Sequence, residues 1–339
     1  MWRVRGILRD YDWGEIDGLA LWSYATGAPQ AELWFGIHPA APAIVVDSEG
    51  VATGETLDAV MPPQRNPLLV KLLAAARPLS IQVHPVRALA AELSARGALP
   101  DAEEKTEILL ALEPFRIHAG WRDLDLARRV LVEAGVPAGA ISSAVTHVDT
   151  VRALLDLSPA VTAQAVAEVG EAAKRCGFDS AAVESLRGIA AEFPFDAGVL
   201  VCVMMQHSVL APGETIGVAA GIIHSYVRGL GVEVMTSSDN VLRLGLTSKA
   251  VNVDDALDAV RDLQPTDGAG IQFVVYELLD EARVLPTSYR VVIPLEGHVE
   301  ASGLQGQVQA AVGCALVMGE HEPEVTVSVS GRAIVAEGR

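Results

Sequence analysis

Four short stretches of the chain carry residues whose types and spacing could support chemistry, and the first is PLSIQVHP at residues 78–85. Apolar residues alternate there with Ser80, Gln82 and His84, a period-2 pattern that predicts a strand with one apolar and one polar face. Gln82 and His84 lie two residues apart on the polar face, so both could bind a single ion. Taken alone, a strand histidine is more often a hydrogen-bonded structural residue than a metal ligand.

The second stretch, DAEEKTEILLALEPF at residues 101–115, places a lysine and a carboxylate, Lys105 and Glu107, on one face of a strand. The apolar run that follows predicts that this strand enters a core. Charged residues at the start of a strand more often form a solvated edge, and for this stretch alone that alternative stays open.

The third stretch, AAGIIHSYVRG at residues 219–229, places His224 and Tyr226 on one strand face directly after a glycine-containing turn. Tyr226 could equally be an aromatic residue that only packs in a core. His224 adds a second imidazole to the candidate ligands.

Across these stretches, four side chains have the chemistry of metal ligands: Gln82, His84, Glu107 and His224. They offer one amide oxygen, two imidazoles and one carboxylate, which suits zinc and is close to the two-histidine, one-carboxylate set of iron enzymes. Spacing along the chain does not establish that the four side chains meet.

The fourth stretch, GLGVEVMTSSDNVLRLGLTSK at residues 229–249, is rich in polar residues although its pattern predicts a strand. Asp239 and Arg243 are expected on one face of it. Arg243 and Lys249 would supply the positive charge that an anionic substrate needs in an acidic protein. Alternatively, Arg243 pairs with Asp239 for stability alone.

The elements that must position these residues are mostly short strands. Strands punctuated by Gly and Pro are predicted from residue 1 to about residue 115, with one helix, VRALAAELSAR, that ends at Gly97. Residues 120–202 have helical periodicity, with Ser or Asp at helix starts and Gly at several ends. Strands return near residue 206, and short strands alternate with turns after residue 260, which suggests a sandwich or barrel. The predicted fold class is mainly β with a helical insert.

The bulk composition limits the choice of partner. Half of the 339 residues are hydrophobic and a fifth are charged, a balance typical of a soluble globular protein with a large core. At roughly 150 residues per domain, this length predicts about two domains, or three if one is small. The formal net charge of −18 argues against a nucleic-acid or membrane partner, because the field of the protein would repel anionic surfaces.

The cysteines and the N-terminus bear on the compartment. Cys176, Cys202 and Cys314 are odd in number and widely spaced, which argues against a disulfide framework and favours the reducing cytoplasm. The first residues lack an apolar h-region, and no apolar run reaches transmembrane length. We therefore expect the mature protein to begin near Met1.

In this order, the stretches resemble type I phosphomannose isomerase, also called mannose-6-phosphate isomerase, a zinc-dependent family of the cupin superfamily. The matching motifs are YDWG, AELWFGIHP, PLSIQVHP, KTEILLAL and the run from PGETIGVAAGIIHSYVRG through SDNVLRLGLTSK. The helical insert and the C-terminal β unit match in architecture only. The resemblance implies jelly-roll (cupin) barrels: a catalytic domain from residues 1–119 and 203–262, a helical insert at 120–202, and a cupin-like β domain at 263–339.

The resemblance also implies roles for individual residues. It gives one zinc ion per chain, with four ligands: Gln82, His84, Glu107 and His224. It makes Arg243 the active-site arginine and adds three catalytic residues: Lys105, Tyr226 and Glu233. It places three further residues in contact with substrate: Ser80, Asp239 and Lys249.

One motif departs from the family pattern. Where the family has NHKPE, this chain has EEKTE, so Thr106 replaces a proline and Glu103 and Glu104 replace Asn-His. We expect the lost proline to loosen the backbone slightly without removing a ligand. The added acid is expected to weaken phosphate binding or to raise the pKa of Lys105.

The implied activity is reversible conversion of mannose 6-phosphate to fructose 6-phosphate through an enediol(ate), which feeds mannose metabolism and GDP-mannose supply. Phosphate would be bound by Arg243 and Lys249, with Lys105 as a further candidate. The proton-transfer group stays open among four residues: Lys105, Glu233, Asp239 and Tyr226. The expected partner is a small sugar phosphate, with no nucleic acid and no membrane, and the chain is expected to be a monomer or weak homo-oligomer.

Two other functional classes stay open. A different cupin metalloenzyme, such as an iron-dependent oxygenase, could use His84, Glu107 and His224, although Gln82 and the cations argue against it. A cupin acting on another sugar phosphate is a variant of this alternative. A non-catalytic sugar-binding cupin would not need all four ligands together with Arg243 and Lys249, and fold-level likeness alone does not decide.

Overall fold

The structure is a computed structural model that describes residues 1–304 and 306–339. Before the helical segment, the chain forms strands and two short helices, α1 (Leu57–Val60) and α2 (Arg87–Ala95). The strands are β1 (Trp2–Arg5), β2 (Ile7–Arg9), β3 (Glu15–Ile16), β4 (Pro29–Gln30), β5 (Glu32–Phe35), β6 (Ile44–Val46), β7 (Ala52–Thr56), β8 (Leu68–Ala75), β9 (Ile81–Val83), β10 (Glu107–Ala111) and β11 (Phe115–Trp121).

The middle of the chain is helical, as the periodicity predicts. Its helices are α3 (Leu124–Glu133), α4 (Ala138–Ile141), α5 (His147–Leu155), α6 (Pro159–Arg175), α7 (Ser180–Glu192) and α8 (Gly198–Met204). Side chains that accept a hydrogen bond from a first-turn backbone N–H begin four of them: Asp123, Thr146, Ser158 and Asp179. Gly135 and Gly177, both with positive φ, follow α3 and α6.

Strands return after α8 and continue to the end of the chain, interrupted by one helix, α9 (Val253–Ala259). They are β12 (Met205–Leu210), β13 (Thr215–Val218), β14 (His224–Thr236), β15 (Leu242–Gly245), β16 (Phe273–Leu279), β17 (Ala282–Leu285), β18 (Arg290–Gly303), β19 (Gly306–Ala311), β20 (Ala315–Met318) and β21 (Val325–Gly338). A mainly β fold with a helical insert is therefore confirmed.

The strands form two large sheets. The first has the order β12-β11-β14-β8-β5-β2, and β9, β10, β13 and β15 join it through β14 and through one another. The second has the order β16-β21-β18-β20-β1-β6-β7, with β17 and β19 at its side. Three strands from the first 56 residues, β1, β6 and β7, thus lie in the sheet built mainly by the C-terminal strands, and the predicted domain boundaries stay a prediction.

Strand β8 shows how alternation separates a core from a site. Its residues Leu68, Val70, Leu72 and Ala74 pack in an apolar core that also contains Phe273 and Val291 of the second sheet. The intervening residues point the other way, and Lys71 among them is buried beside acidic residues of neighbouring strands. Lys71 is therefore the one polar residue on this face of β8, among the apolar Leu69, Leu73 and Ala75.

The helical insert packs on the far side of β9 and β15. Ile81 and Val83 of β9 lie in one apolar core with residues of α3, α6, α7 and α8. The predicted apolar face of the first stretch is thus confirmed for these two residues, while Leu79 lies before β9 and packs against a different core. The insert also supports the chain after β15, because Asp196 accepts a hydrogen bond from the Leu246 N–H at 2.8 Å. A Cβ at Gly245 would lie 2.7 Å from the Cα of Gly198, so only glycine permits this approach. Among the described residues, no helix is both long and apolar enough to cross a bilayer.

Candidate metal centre and active-site cleft

Strand β14 brings the predicted site residues together through its register with three neighbours. At its start, His224 lies opposite Gln82 of β9, and Gln82 in turn lies opposite Arg243 of β15. Near its end, Glu233 lies opposite Lys71 of β8, while the neighbouring Met235 lies opposite Glu107 of β10. Side chains far apart in the chain therefore reach one interior space.

Three of the four predicted ligands form a compact buried group. The Nε2 atom of His84 is 3.1 Å from Oε1 of Glu107, and Nε2 of His224 is 3.5 Å from Oε2 of the same carboxylate. One ligand atom from each side chain lies within 4.8 Å of the other two. Ligand atoms about 2.0–2.2 Å from a tetrahedral zinc are separated by roughly 3.3–3.6 Å, so these spacings fit one zinc ion.

The two imidazoles are oriented by backbone carbonyls. Nδ1 of His84 lies 2.7 Å from the Asn240 carbonyl oxygen, and Nδ1 of His224 lies 3.0 Å from that of Ile222. A carbonyl only accepts hydrogen bonds, so both Nδ1 atoms carry the proton and both Nε2 atoms present a lone pair. The buried Nε2 of His84 has no hydrogen-bond partner among the described residues, as expected of an atom reserved for a metal.

The fourth predicted ligand, Gln82, lies at the edge of this group. Its Nε2 atom donates a hydrogen bond to Oγ of Ser80 at 2.9 Å. The amide oxygen is left available on the side of the small inner cavity, which Gln82 lines together with Glu107 and His224. This hydrogen bond to Ser80 therefore fixes the orientation of the Gln82 amide on the polar face of the first stretch.

The negative charge of the Glu107 carboxylate is balanced by a lysine in direct contact with it. Nζ of Lys105 is 2.9 Å from Oε1 of Glu107. Burial alone would raise the pKa of Glu107, but Lys105 and His84 lower it well below its ordinary value, so the carboxylate stays ionised. Burial lowers the pKa of His84 to about 4, which leaves its imidazole neutral and able to bind a metal at neutral pH.

Next to the ligand group lies a second buried ionic cluster, of which Glu233 was predicted from the sequence and Lys71 and Glu32 were not. Nζ of Lys71 is 3.0 Å from Glu233 and 3.6 Å from Glu32, whose carboxylate accepts a hydrogen bond from Trp34. Burial would lower the pKa of Lys71, but the two carboxylates raise it, so the ammonium is charged. Burial also raises the pKa of Glu233. A lysine inside the apolar run LLVKLLAA was the available signal.

A cleft of about 490 Å³ opens from this interior to the surface. Its inner lining shares Lys71, Ser80, Gln82 and Lys105 with the small cavity beside the ligands. The outer lining includes predicted substrate contacts and Phe193 from the end of the helical insert: Asp239, Arg243, Lys249 and Phe193. A larger cavity of about 820 Å³, lined by Arg3 and Arg5, holds none of the predicted site residues.

Two of the cations that line the cleft mouth, Arg243 and Lys249, have no carboxylate partner among the described residues, whereas Arg77 pairs with Glu192. Arg243 is half-buried, burial lowers its pKa, and it forms no ion pair with any described residue. The predicted alternative, a stabilising pair between Arg243 and Asp239, is therefore wrong. Lys249 is exposed, with Nζ 5.6 Å from the ring centroid of Tyr11.

Asp239 departs from its predicted position. It was expected on a strand face with Arg243, but β14 ends at Thr236 and β15 begins at Leu242, so Asp239 lies in the intervening loop. Its Oδ1 is 3.3 Å from Nε2 of the buried His38. The loop is irregular because its polar groups bond to Asp101 instead of to a neighbouring strand.

The departure from the family motif has two structural consequences. The N–H that Thr106 has in place of proline donates to Oγ1 of Thr236 at 3.1 Å, so a hydrogen bond holds the segment that was expected to loosen. The added acids point to α2: Glu103 pairs with Arg87 at 2.7 Å, and Glu104 accepts from the Arg87 N–H at 2.9 Å. Neither glutamate lines the cleft.

Comparison with known proteins supports the resemblance. Residues 1–124 match the family model of the catalytic domain of type I phosphomannose isomerase. Mannose-6-phosphate isomerase 1 of Arabidopsis thaliana is 29% identical over 297 residues, covering 74% of this chain and 68% of that protein. Mannose-6-phosphate isomerase of Escherichia coli strain K12 is 26% identical, and the alignment covers 98% of both chains.

Solved structures show the same fold. The apo form of mannose 6-phosphate isomerase from Salmonella typhimurium superposes with a TM-score of 0.80 at 23% identity, covering 100% of this chain and 99% of that one. A mannose 6-phosphate isomerase bound with zinc and yttrium gives the same score, identity and coverage. The resemblance predicted from the motifs is thereby confirmed: the chain is similar in sequence to mannose-6-phosphate isomerases and shares the fold of the solved ones.

Proposed function

We propose that the protein is a zinc-dependent isomerase that interconverts mannose 6-phosphate and fructose 6-phosphate. One observation carries the proposal: a buried group of two imidazoles and one carboxylate lies at the inner end of a cleft whose mouth holds Arg243 and Lys249 without carboxylate partners. A neutral sugar would not need those cations, and a purely structural metal site would not open to a cleft.

His84, Glu107 and His224 would hold one zinc ion per chain, with the amide oxygen of Gln82 as fourth ligand. Zinc bound there supplies a Lewis acid for the negative charge that develops on the sugar during isomerisation. Ser80 fixes the amide of Gln82, and the two carbonyls fix the imidazoles, so the ligand atoms are oriented in advance. Lys105, beside Glu107, offsets the charge of the carboxylate.

Arg243 and Lys249 would bind the phosphate group at the cleft mouth. Both donate charge-assisted hydrogen bonds, and neither must break an ion pair in the protein to do so. Asp239, an exposed acidic residue at the mouth whose carboxylate lies 3.3 Å from His38, would contact sugar hydroxyls. The distance between mouth and interior would orient the sugar with its reacting carbons inward.

Glu233 is the best candidate for moving the proton between C1 and C2 through an enediol(ate). It lines the inner cavity, and burial raises the pKa of its carboxyl, as a base working near neutral pH requires. Tyr226 has a pKa raised well above its ordinary value by burial, and Asp239 is exposed at the mouth. Lys105 already contacts Glu107.

Replacing Glu233 by Gln should lower kcat and abolish deuterium incorporation from D2O while leaving KM nearly unchanged.

The wider setting is part of the same proposal. The reaction would feed mannose metabolism and the supply of GDP-mannose. Three free cysteines suit a cytoplasmic location. The unit would be a monomer or weak homo-oligomer, with a catalytic domain at residues 1–119 and 203–262, a helical insert at 120–202 and a β domain at 263–339.

The direct test is turnover of mannose 6-phosphate by purified protein before chelation, after chelation, and after addition of zinc or iron. Loss with chelator and recovery with zinc would support the proposal, because zinc alone then restores the reaction. Recovery of fructose 6-phosphate formation with iron alone would replace zinc by iron in the proposal, whereas consumption of O2 in place of isomerisation would favour the oxygenase class. Binding of the sugar phosphate by folded, zinc-loaded protein without turnover would reject the isomerase and favour a sugar-binding cupin.

A further inference from the structure

Behind the candidate metal centre, the side chain of Asn240 joins two loops. Asn240 is fully buried, and its Nδ2 lies within 2.9 Å of three oxygens: the Asp101 carbonyl, the Asp101 carboxylate and the Glu103 carbonyl. With two hydrogens for three acceptors, the amide donates at full capacity. These acceptors lie in the segment that leads directly to Lys105 and Glu107.

The Asp101 carboxylate also binds the two residues that precede Asn240. It accepts hydrogen bonds from Oγ of Ser238 at 3.0 Å and from the backbone N–H of Asp239 at 3.2 Å. The loop between β14 and β15 is therefore held at Asn240 and at the two residues that precede it. This hydrogen-bonded network, in which Ser238 and Asn240 are buried, fixes the backbone of the loop.

The backbone of Asn240 is the group that orients His84. Its carbonyl oxygen receives the Nδ1 proton of His84 at 2.7 Å, and Nε2 of the same ring consequently faces Glu107. The side chain of Asn240 thus ties the acceptor for one ligand to the segment that carries another. His224 lacks this tie, because its acceptor, the Ile222 carbonyl, lies only two residues away on the same chain segment.

We propose that Asn240 is a positioning residue of the metal centre: its amide holds the carbonyl that sets the tautomer and direction of the His84 imidazole toward zinc. The inference rests on the proposed function, since it assumes that His84 binds the metal. Removing partners that orient metal-bound histidines typically weakens metal affinity about 10- to 100-fold. Asn240 itself touches neither the metal ligands' Nε2 atoms nor the substrate cleft.

The test measures the zinc dissociation constant of chelator-treated protein by competition with a chromophoric chelator, together with the thermal unfolding of the same metal-free protein. Asn240→Asp keeps the shape but replaces the donor by a carboxylate oxygen facing Asp101, and Asn240→Ala removes the amide. Both should weaken zinc binding about 10- to 100-fold. Asn252→Ala is the matched control: it removes the cap of α9, so it should lower the unfolding temperature and leave zinc affinity unchanged.

Wild-type zinc affinity in folded Asn240 variants would overturn the inference, because the amide would then serve packing alone. If both variants fail to fold, Asp101→Asn decides: severalfold weaker zinc binding supports the role, and unchanged binding contradicts it. Failure of the proposed function is seen separately, as wild-type protein that does not bind zinc or does not isomerise mannose 6-phosphate.

Discussion

Around the candidate metal centre the polar side chains are buried and already bonded to one another, whereas the cleft mouth has charged groups that are half-buried or exposed. The single carboxylate of Glu107 contacts His84, His224 and Lys105, and all four side chains are nearly inaccessible to solvent. At the mouth, Arg243 and Lys249 have no ion-pair partner among the described residues. The side chains of the metal centre are therefore preorganised before any ligand binds, whereas the cations of the mouth gain an anionic partner only when substrate binds.

The two regions also differ in how the chain supports them. The inner residues lie on or directly beside strands of one sheet, where cross-strand register fixes their spacing. The mouth is built from the loop after β14, from β15 and the segment that follows it, and from Phe193 at the end of α7. Inner substitutions should therefore affect metal binding and stability, while outer ones should affect substrate affinity.

Glu107→Gln should have the largest effect. It removes the carboxylate between the two imidazoles and leaves Lys105 buried without its partner. We expect zinc affinity and kcat/KM to fall by more than about 100-fold, measured by competition with a chelator and by turnover. Glu184→Gln, at an exposed ion pair with Arg116, is the control. Tight zinc binding by Glu107→Gln would contradict the assignment of this centre.

Lys71→Met tests whether the inner ionic cluster is as tightly coupled as its burial indicates. Removing one partner of a buried ion pair costs about 3–5 kcal/mol in the free energy of unfolding, because Glu233 and Glu32 would be left buried without the ammonium beside them. Arg175→Met, which breaks an exposed pair with Glu133, should cost about 0–1 kcal/mol. Denaturant unfolding of the two metal-free variants compares them, and equal losses would remove the distinction.

Lys249→Met should act on the mouth alone. Losing one charge-assisted contact to phosphate is worth about 1.5–3 kcal/mol, so kcat/KM for mannose 6-phosphate should fall roughly 10- to 100-fold, mainly through KM. Zinc affinity should not change. If the binding of unphosphorylated mannose, measured in parallel, weakened by the same factor, Lys249 would not be a phosphate contact.

His118 gives a smaller effect outside both regions, in the contact between β11 and α7. Burial lowers its pKa from 6.5 to about 3, and its Nε2 bonds to Ser185. Between these values the unfolded chain binds a proton that the folded chain does not, so acidification favours unfolding. This group should remove about 1.4 kcal/mol of stability per pH unit below 6.5 and contribute no pH dependence above it.

The measurement is the free energy of unfolding of metal-free wild-type protein and His118→Gln at pH 6 and pH 5. The variant should lose about 1.4 kcal/mol less than the wild type over that interval. A second variant, Ser185→Ala, keeps the histidine and should keep its pH dependence. Parallel losses in wild type and His118→Gln would show that this imidazole is not the acid-sensitive group.

Much of the inner centre could be predicted from the sequence because its residues alternate with apolar ones. Gln82 and His84 follow the period of a strand, and Glu107 and His224 stand at strand starts beside long apolar runs. Lys71 and Glu32 could not be found in this way, because their pairing depends on the register of β5 and β8 with β14. Cross-strand register is not encoded in the periodicity of any single strand.

The mouth was less predictable for a related reason. Asp239 was expected on a strand, but its loop follows hydrogen bonds to Asp101, more than 100 residues earlier in the chain. The backbone of the EEKTE motif is likewise held by a distant residue, because Thr236 accepts a hydrogen bond from the Thr106 N–H. Local pattern predicts which side chains share a face, and long-range partners decide where loops lie.

The most direct test of the central claim is anomalous diffraction at the zinc absorption edge from crystals of zinc-loaded, catalytically assayed protein. We expect a single strong peak per chain within bonding distance of Nε2 of His84, Nε2 of His224 and the carboxylate of Glu107. Crystals of active protein that show no peak there, or show their only peak elsewhere, would contradict it.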